Sequence, residues 1–343
     1  MSYPPLPPPI DEIEFTPSIN NDTESTPLIM NEHTLAREYV KNKKKKEKSS
    51  NGLIFCKCCL VTSALLVFVM VVNVLFYVFT VNNEIHLSFT DEITNNITAT
   101  WITSSKPSAS DDFLEFYKNG SFNKIRESPQ ITYYNPGGDI PKYILRANLS
   151  SLENDTHYNY RVFQQGTPSN TFSFYVPPTF NVANKTCSKN ILFFGDLGYF
   201  YANTRDLLIE ESRVNQYDFA FHLGNIAYNL DSYFGLVGDF YFSSIEQLAA
   251  KTPYMVIPGN QENYNNFSTY KNMFTMPKFN KFQNLFYALD KPPIKMINLN
   301  TEVYYYEQMR PSIETQINFL KNELNNVDRN IFPWLIITGH RPM

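Results

Sequence analysis

The spacing of hydrophobic positions along this chain of 343 residues changes several times, and each change predicts a different element. Residues 60–81 are almost uniformly apolar and carry no charge. With residues 55–59 the run reaches roughly 25 residues, enough for a helix to cross about 30 Å of hydrocarbon. Beyond it, apolar and polar positions alternate. Ile85, Leu87 and Phe89 keep period two, as do Ile97, Ala99 and Trp101, and then Tyr143, Leu145, Ala147 and Leu149. Such alternation predicts strands with one buried face. Tyr158, Tyr160 and Val162 continue the pattern, and Phe172 and Phe174 supply a last strand before Pro177-Pro178. Tyr158 stands where a β-sandwich carries a tyrosine corner.

From residue 180 the grammar changes to short apolar runs that stop on glycine. Ile191–Phe194 runs into Gly195-Asp196-Leu197-Gly198, and Phe219–Leu223 runs into Gly224-Asn225 with Tyr228 close behind. Tyr254–Ile257 runs into Pro258-Gly259-Asn260-Gln261-Glu262, and Trp334–Thr338 into Gly339-His340-Arg341-Pro342. A buried strand followed by a glycine turn is how α/β folds deliver side chains beyond a sheet edge. Helical spacing separates the runs: Leu207, Leu208, Glu211 and Val214 behind a cap at Asn203 or Thr204, then Ile245, Leu248 and Ala249, then Ile313, Ile317, Leu320 and Leu324 behind Pro311. Apolar stretches at 285–289 and 296–299 predict a second sheet. The expected architecture is a β-sandwich over 82–178, then an α/β two-sheet sandwich over 180–343 that is cut short at its C-terminal end. Strand ends that present Asp, Asn plus Tyr, Asn and His form a pocket for hard metal ions.

Charge fixes an orientation. The net charge of −4 argues against nucleic acid as a partner. Lys41, Lys43–Lys46 and Lys48 precede the apolar run, whereas the first basic residue after it is Lys106. The positive-inside rule therefore places the N-terminus in the cytosol. The long polar stretch ahead of the run favours an uncleaved signal anchor at 53–81 over a removed signal peptide. Asn96, Asn119, Asn148, Asn154, Asn184 and Asn266 each begin Asn-x-Ser/Thr, and all lie beyond the run. The expectation is a single-pass type II membrane protein, glycosylated on a lumenal or extracellular C-terminal part. The tail at 1–52 is expected to be disordered. Within it, Glu24-Ser25-Thr26-Pro27-Leu28-Ile29 matches an acidic dileucine signal for endosomes and lysosomes, with a chance match as the alternative; the cell surface is the other expected destination. Cys56, Cys58 and Cys59 stand at the membrane edge, as lipidation sites or as apolar filler. Cys187 is the one cysteine beyond the run. It pairs between chains in a homodimer, or its partner is missing.

Gly-Asp-x-Gly, then Gly-Asn where Gly-Asp is usual, then Tyr, then Gly-Asn-x-Glu, then Gly-His resembles the signature of purple acid phosphatases. The resemblance covers about 81–343, and the region before the strand-end motifs is similar to their fibronectin-type-III-like domain. It implies hydrolysis of phosphomonoesters at acidic pH by iron and a second divalent metal (zinc, manganese or iron). It also implies that Asp196 and Tyr228 bind the iron, and that Asn260 and His340 bind the second metal. Asn225 stands at the position of the aspartate that bridges both ions. An amide offers one good oxygen in place of two anionic ones. Gln261 stands at the position of a catalytic histidine, and glutamine has no proton to give a leaving group. The family's final Gly-His-x-His is not found before Met343. The site is therefore expected to be weak or inactive. The alternatives are a non-catalytic phosphate-ester binder or surface interaction protein, and a truncated product that folds poorly.

Overall fold

The alternating stretches fold as strands of two facing antiparallel sheets. In chain order they are β1 (His86–Phe89), β2 (Ile97–Thr103), β3 (Phe113–Lys118), β4 (Ile125–Glu127), β5 (Gln130–Tyr134), β6 (Lys142–Leu149), β7 (Thr156–Gln164), β8 (Thr167–Pro168) and β9 (Phe172–Val176). One sheet runs β1-β2-β6-β5; the other runs β4-β3-β7-β8, with β9 also paired to β7. This is a computed structural model, and it describes residues 84–90, 96–137, 141–180 and 189–342. The predicted tail at 1–52, the predicted span at 53–81, Cys56, Cys58, Cys59, Asn184 and Cys187 lie outside the described residues. Among the described residues, no helix is long and apolar enough to cross a membrane.

Period two explains the sandwich core. Leu87, Ala99, Trp101, Leu145 and Ala147 of one sheet and Leu114, Phe116, Tyr160 and Val162 of the other are all buried. Each such large apolar side chain contributes about 2 kcal/mol by leaving water. Tyr158 Oη accepts a hydrogen bond from the Glu153 N–H at 3.0 Å, the upstream backbone bond of a tyrosine corner. Strands β4 and β5 are absent from the sequence reading because their apolar residues face outward: Ile125 is 47% exposed and Ile131 43%.

The second half alternates strands and helices: β10 (Ile191–Phe194), α1 (Arg205–Val214), β11 (Phe219–Leu223), α2 (Leu236–Ala249), β12 (Tyr254–Ile257), α3 (Tyr264–Met273), β13 (Tyr287–Lys291), β14 (Ile294–Asn298), α4 (Pro311–Asn325) and β15 (Trp334–Thr338). β10, β11 and β12 form a parallel sheet with β11 at its centre. In the second sheet, β14 pairs antiparallel with β13 and parallel with β15. Two helix faces match the expected ones only in part, with Leu208, Ile313 and Leu320 packed against the core. On α1, Leu207 and Val214 point outward, and Leu208 and Ile209 pack inward. On α4, Gln316, Phe319 and Glu323 are buried while Ile317 and Leu324 are exposed. Polar partners turn that helix. Gln316 Oε1 accepts from the Asn300 N–H at 2.8 Å and its Nε2 donates to the Asn300 carbonyl at 3.1 Å, while Glu323 meets Lys295 at 2.8 Å.

A polar seam joins the sandwich to the α/β part. Ser88 Oγ donates to the Thr275 carbonyl at 2.6 Å, Arg146 Nε donates to Thr275 Oγ1 at 2.7 Å, and Tyr160 Oη donates to the Ala250 carbonyl at 2.7 Å. The Ile85 N–H donates to Glu246 Oε1 at 3.1 Å, and Lys142 pairs with Asp239. Apolar contact continues the seam, with Phe89 edge-on to Phe219 at 6.0 Å.

Candidate active site

Every turn that carries a predicted site residue lies at the C-terminal end of a strand. Beyond β10, Asp196 adopts φ +52°, and beyond β11 Asn225 and Tyr228 adopt φ +52° and +50°. Left-handed backbone costs an ordinary residue on the order of 1–2 kcal/mol, so tertiary contacts must hold these turns. They do: the Asp196 N–H donates to the Gly224 carbonyl at 3.1 Å, and the Gly198 N–H to the Ile226 carbonyl at 3.0 Å. Two glycines let the turns close on each other. A Cβ on Gly224 would lie 2.7 Å from His340 Nδ1, and one on Gly259 would lie 2.6 Å from Asn225 Oδ1.

The side chains then meet in two halves. Asp196 Oδ1 accepts from Tyr228 Oη at 2.8 Å and from Asn225 Nδ2 at 2.8 Å. Asn225 is buried and its Oδ1 accepts from the Gln261 N–H at 2.9 Å. Burial and the Asp196 hydrogen bond raise the Tyr228 phenol, which keeps its proton here. In the other half, His340 Nδ1 lies 2.7 Å from the Leu223 carbonyl, to which it donates. Its Nε2 lies in hydrogen-bond range of Asn260 Oδ1 at 3.2 Å. The Gln261 side chain is half-buried beside them.

Two further residues build the site, both visible in the strand-end motifs but given no role in it by the sequence reading. Glu262 is buried, and its carboxylate accepts from the backbone N–H groups of Asn225, Ile226 and Gly259. Arg341 Nε donates to both oxygens of the fully buried Glu302 at 2.9 Å. Its backbone N–H donates to Thr301 Oγ1, which ties the turn after β15 to the loop before α4. Glu262 was visible as a motif letter, but two of its three partners lie over thirty residues away, and no local pattern announces them. His222 is fully buried, touches Tyr254 Oη at 2.5 Å through Nδ1, and is a core residue.

The family profile described as purple acid phosphatase, N-terminal domain, matches residues 82–176, and the one described as calcineurin-like phosphoesterase matches residues 189–343. The chain belongs to the purple acid phosphatase family. It is 33% identical over 265 residues to acid phosphatase type 7 of Mus musculus, covering 76% of this chain and 58% of that protein. The Danio rerio acid phosphatase type 7 is 30% identical over 271 residues, with the same two coverages. Purple acid phosphatase PPD1 from yellow lupin (Lupinus luteus) seeds shares the fold, with a TM-score of 0.63 at 21% identity over 75% of this chain and 50% of that one. The chain therefore spans about half the length of these relatives.

Purple acid phosphatases generally use a dinuclear centre of iron and a second metal. The donor set of this chain does not fit that pair. At the bridging position the atom turned toward Asp196 is the Asn225 amide nitrogen, which carries hydrogens and has no lone pair for a cation. Among the described residues, no group of three His, Cys, Asp or Glu side chains is placed to hold a metal ion.

Proposed function

We propose that this chain is a membrane-anchored, glycosylated phosphatase-type protein with weak turnover of phosphomonoesters at acidic pH, its sandwich and α/β parts on the lumenal or extracellular side. The convergence of Asp196, Asn225, Tyr228, Asn260, Gln261 and His340 at the strand ends carries this reading. The chemistry available there is limited. Gln261 can donate a hydrogen bond to a phosphate oxygen but not a proton to the leaving group. The Asp196 carboxylate repels a phosphate dianion at close range. Exposed side chains at Asn119, Asn148, Asn154 and Asn266 support glycosylation on this side.

The test is the full chain assayed on p-nitrophenyl phosphate across acidic pH. Slow turnover that rises with Gln261→His is the expected outcome. The Asn225 amide favours a second reading, a phosphate-ester binder without catalysis. Absence of turnover in both proteins, with retained binding of inorganic phosphate, would establish that second reading instead.

A further inference from the structure

Arg146 is a buried cation that meets no carboxylate. It is 6% exposed, and neutral oxygens hold its guanidinium: Nε donates to Thr275 Oγ1 at 2.7 Å, Nη1 to Thr132 Oγ1 at 2.9 Å and Nη2 to the Asn272 carbonyl at 2.5 Å. Among the described residues, no acceptor takes its other two N–H groups. Burial pulls the group down to about 10, and no carboxylate acts against that. Buried charges are ordinarily paired. Lys142 and Lys295 are as deeply buried, and each meets an aspartate. What sets Arg146 apart is a cleft of about 440 Å³ that it lines, between the β1-β2-β6-β5 sheet and the segment after α3. Lys278 and Lys281 line the same cleft, and Glu127 is the one carboxylate among its described lining residues. The walls therefore carry a surplus of two positive charges. Thr90, Thr98, Gln130, Asn148 and Asn280 add hydroxyl and amide groups. None of the strand-end site residues lines it.

We propose that this cleft binds a small phosphorylated polyol, with Arg146 as the buried counter-charge of the phosphate and the hydroxyl and amide side chains holding the polyol. Two surplus positive charges match a phosphate dianion, and guanidinium N–H groups suit its oxygens. The volume lies within the roughly 300–1,000 Å³ of small-molecule sites, and a bare ion would leave most of it to water. The inference is independent of the strand-end chemistry. Asn148 stands on the cleft and begins an Asn-x-Ser triplet, so Ser150→Ala, which removes the triplet without touching the lining, keeps a sugar chain out of the test.

The experiment titrates sorbitol phosphate and inorganic phosphate into the full chain carrying Ser150→Ala, at about pH 7, by calorimetry and by melting temperature. Sorbitol phosphate is expected to bind more tightly than inorganic phosphate and to raise the melting temperature. Lys278→Glu combined with Lys281→Glu, both exposed, is expected to weaken it about tenfold or more, and Glu127→Gln to strengthen it a few-fold. Lys321→Glu, exposed on α4 and outside the cleft, should leave the affinity unchanged. Asp196→Ala should leave one equivalent bound, which separates this site from phosphate-ester binding at the strand ends. Absence of binding, or affinity indifferent to the lysine reversal, would overturn the inference. So would loss of all binding in Asp196→Ala. Equal affinity for inorganic phosphate and sorbitol phosphate would overturn it too, because the polyol would then contribute nothing.

Discussion

Glu262 is buried directly behind Asn260 and Gln261, and its oxygens accept from the N–H groups of Asn225, Ile226 and Gly259 at 2.9, 2.8 and 2.8 Å. One carboxylate thereby staples the turn after β11 to the turn after β12. Removing it strands three buried N–H donors, each costing about 1–3 kcal/mol. Glu262→Ala is therefore expected to lose several kcal/mol in urea denaturation, with Glu262→Gln intermediate because its carbonyl oxygen still accepts. Arg341 works similarly on Glu302. Breaking a buried ion pair costs about 3–5 kcal/mol, and less here because Arg341 is 31% exposed. Arg341→Ala should lower the melting temperature clearly, and Arg341→Lys should do so by less. At this scale the sequence shows which letters stand at the strand ends. It does not show that Asn225 offers nitrogen to Asp196 and oxygen to Gln261, because that choice is made by a backbone N–H far along the chain.

Strands β10, β11, β12 and β15 were legible because each is a short apolar run that ends at a glycine turn. Helix α4 was legible as a helix and its inward face in part: Ile313 and Leu320 pack against the core, whereas Ile317 and Leu324 do not. Hydrophobic spacing favours Ile317 and Leu324, whereas the fold turns Gln316 and Glu323 inward to reach Asn300 and Lys295. Those partners come from the loop after β14 and from β14 itself, so no window around the helix contains the signal. The prediction is a contrast on neighbouring positions. Gln316→Leu leaves both backbone groups of Asn300 unpaired and is expected to cost about 2–4 kcal/mol. Ile317→Lys, on the exposed face, is expected to stay within about 0.5 kcal/mol. Thermal or urea unfolding of both variants decides whether the polar face positions the helix. Equal losses would return the helix to its hydrophobic phase.

Across the whole molecule, acid acts in two directions. Burial pushes Glu262 up from 4.5 to about 7, against the pull of its three backbone donors. The folded chain then takes up a proton over that window before the unfolded one does, so this group adds stability as pH falls through it. Burial pushes His222 down from 6.5 to about 3 and His86 down to about 4. The unfolded chain protonates these first, so stability falls as pH drops below about 6.5. His222→Phe should therefore raise the melting temperature at about pH 5 relative to that at about pH 7, compared with the unmodified chain. Glu262→Gln should move that difference the other way. Any cost of lost hydrogen bonds that does not vary with pH cancels in the comparison.

The seam at the start of the first strand also has a mechanical consequence. Within a few residues of Glu84, the backbone of Ile85 is held by Glu246 of α2 and the side chain of Ser88 by the Thr275 carbonyl, while β1 itself pairs with β2. Tension entering the chain at that point divides at once between both halves of the molecule and need not travel through the sandwich to reach the pocket. Pulled from the start of β1, the protein should give way in one rupture, with the strand-end turns of the pocket loaded as early as the sandwich core.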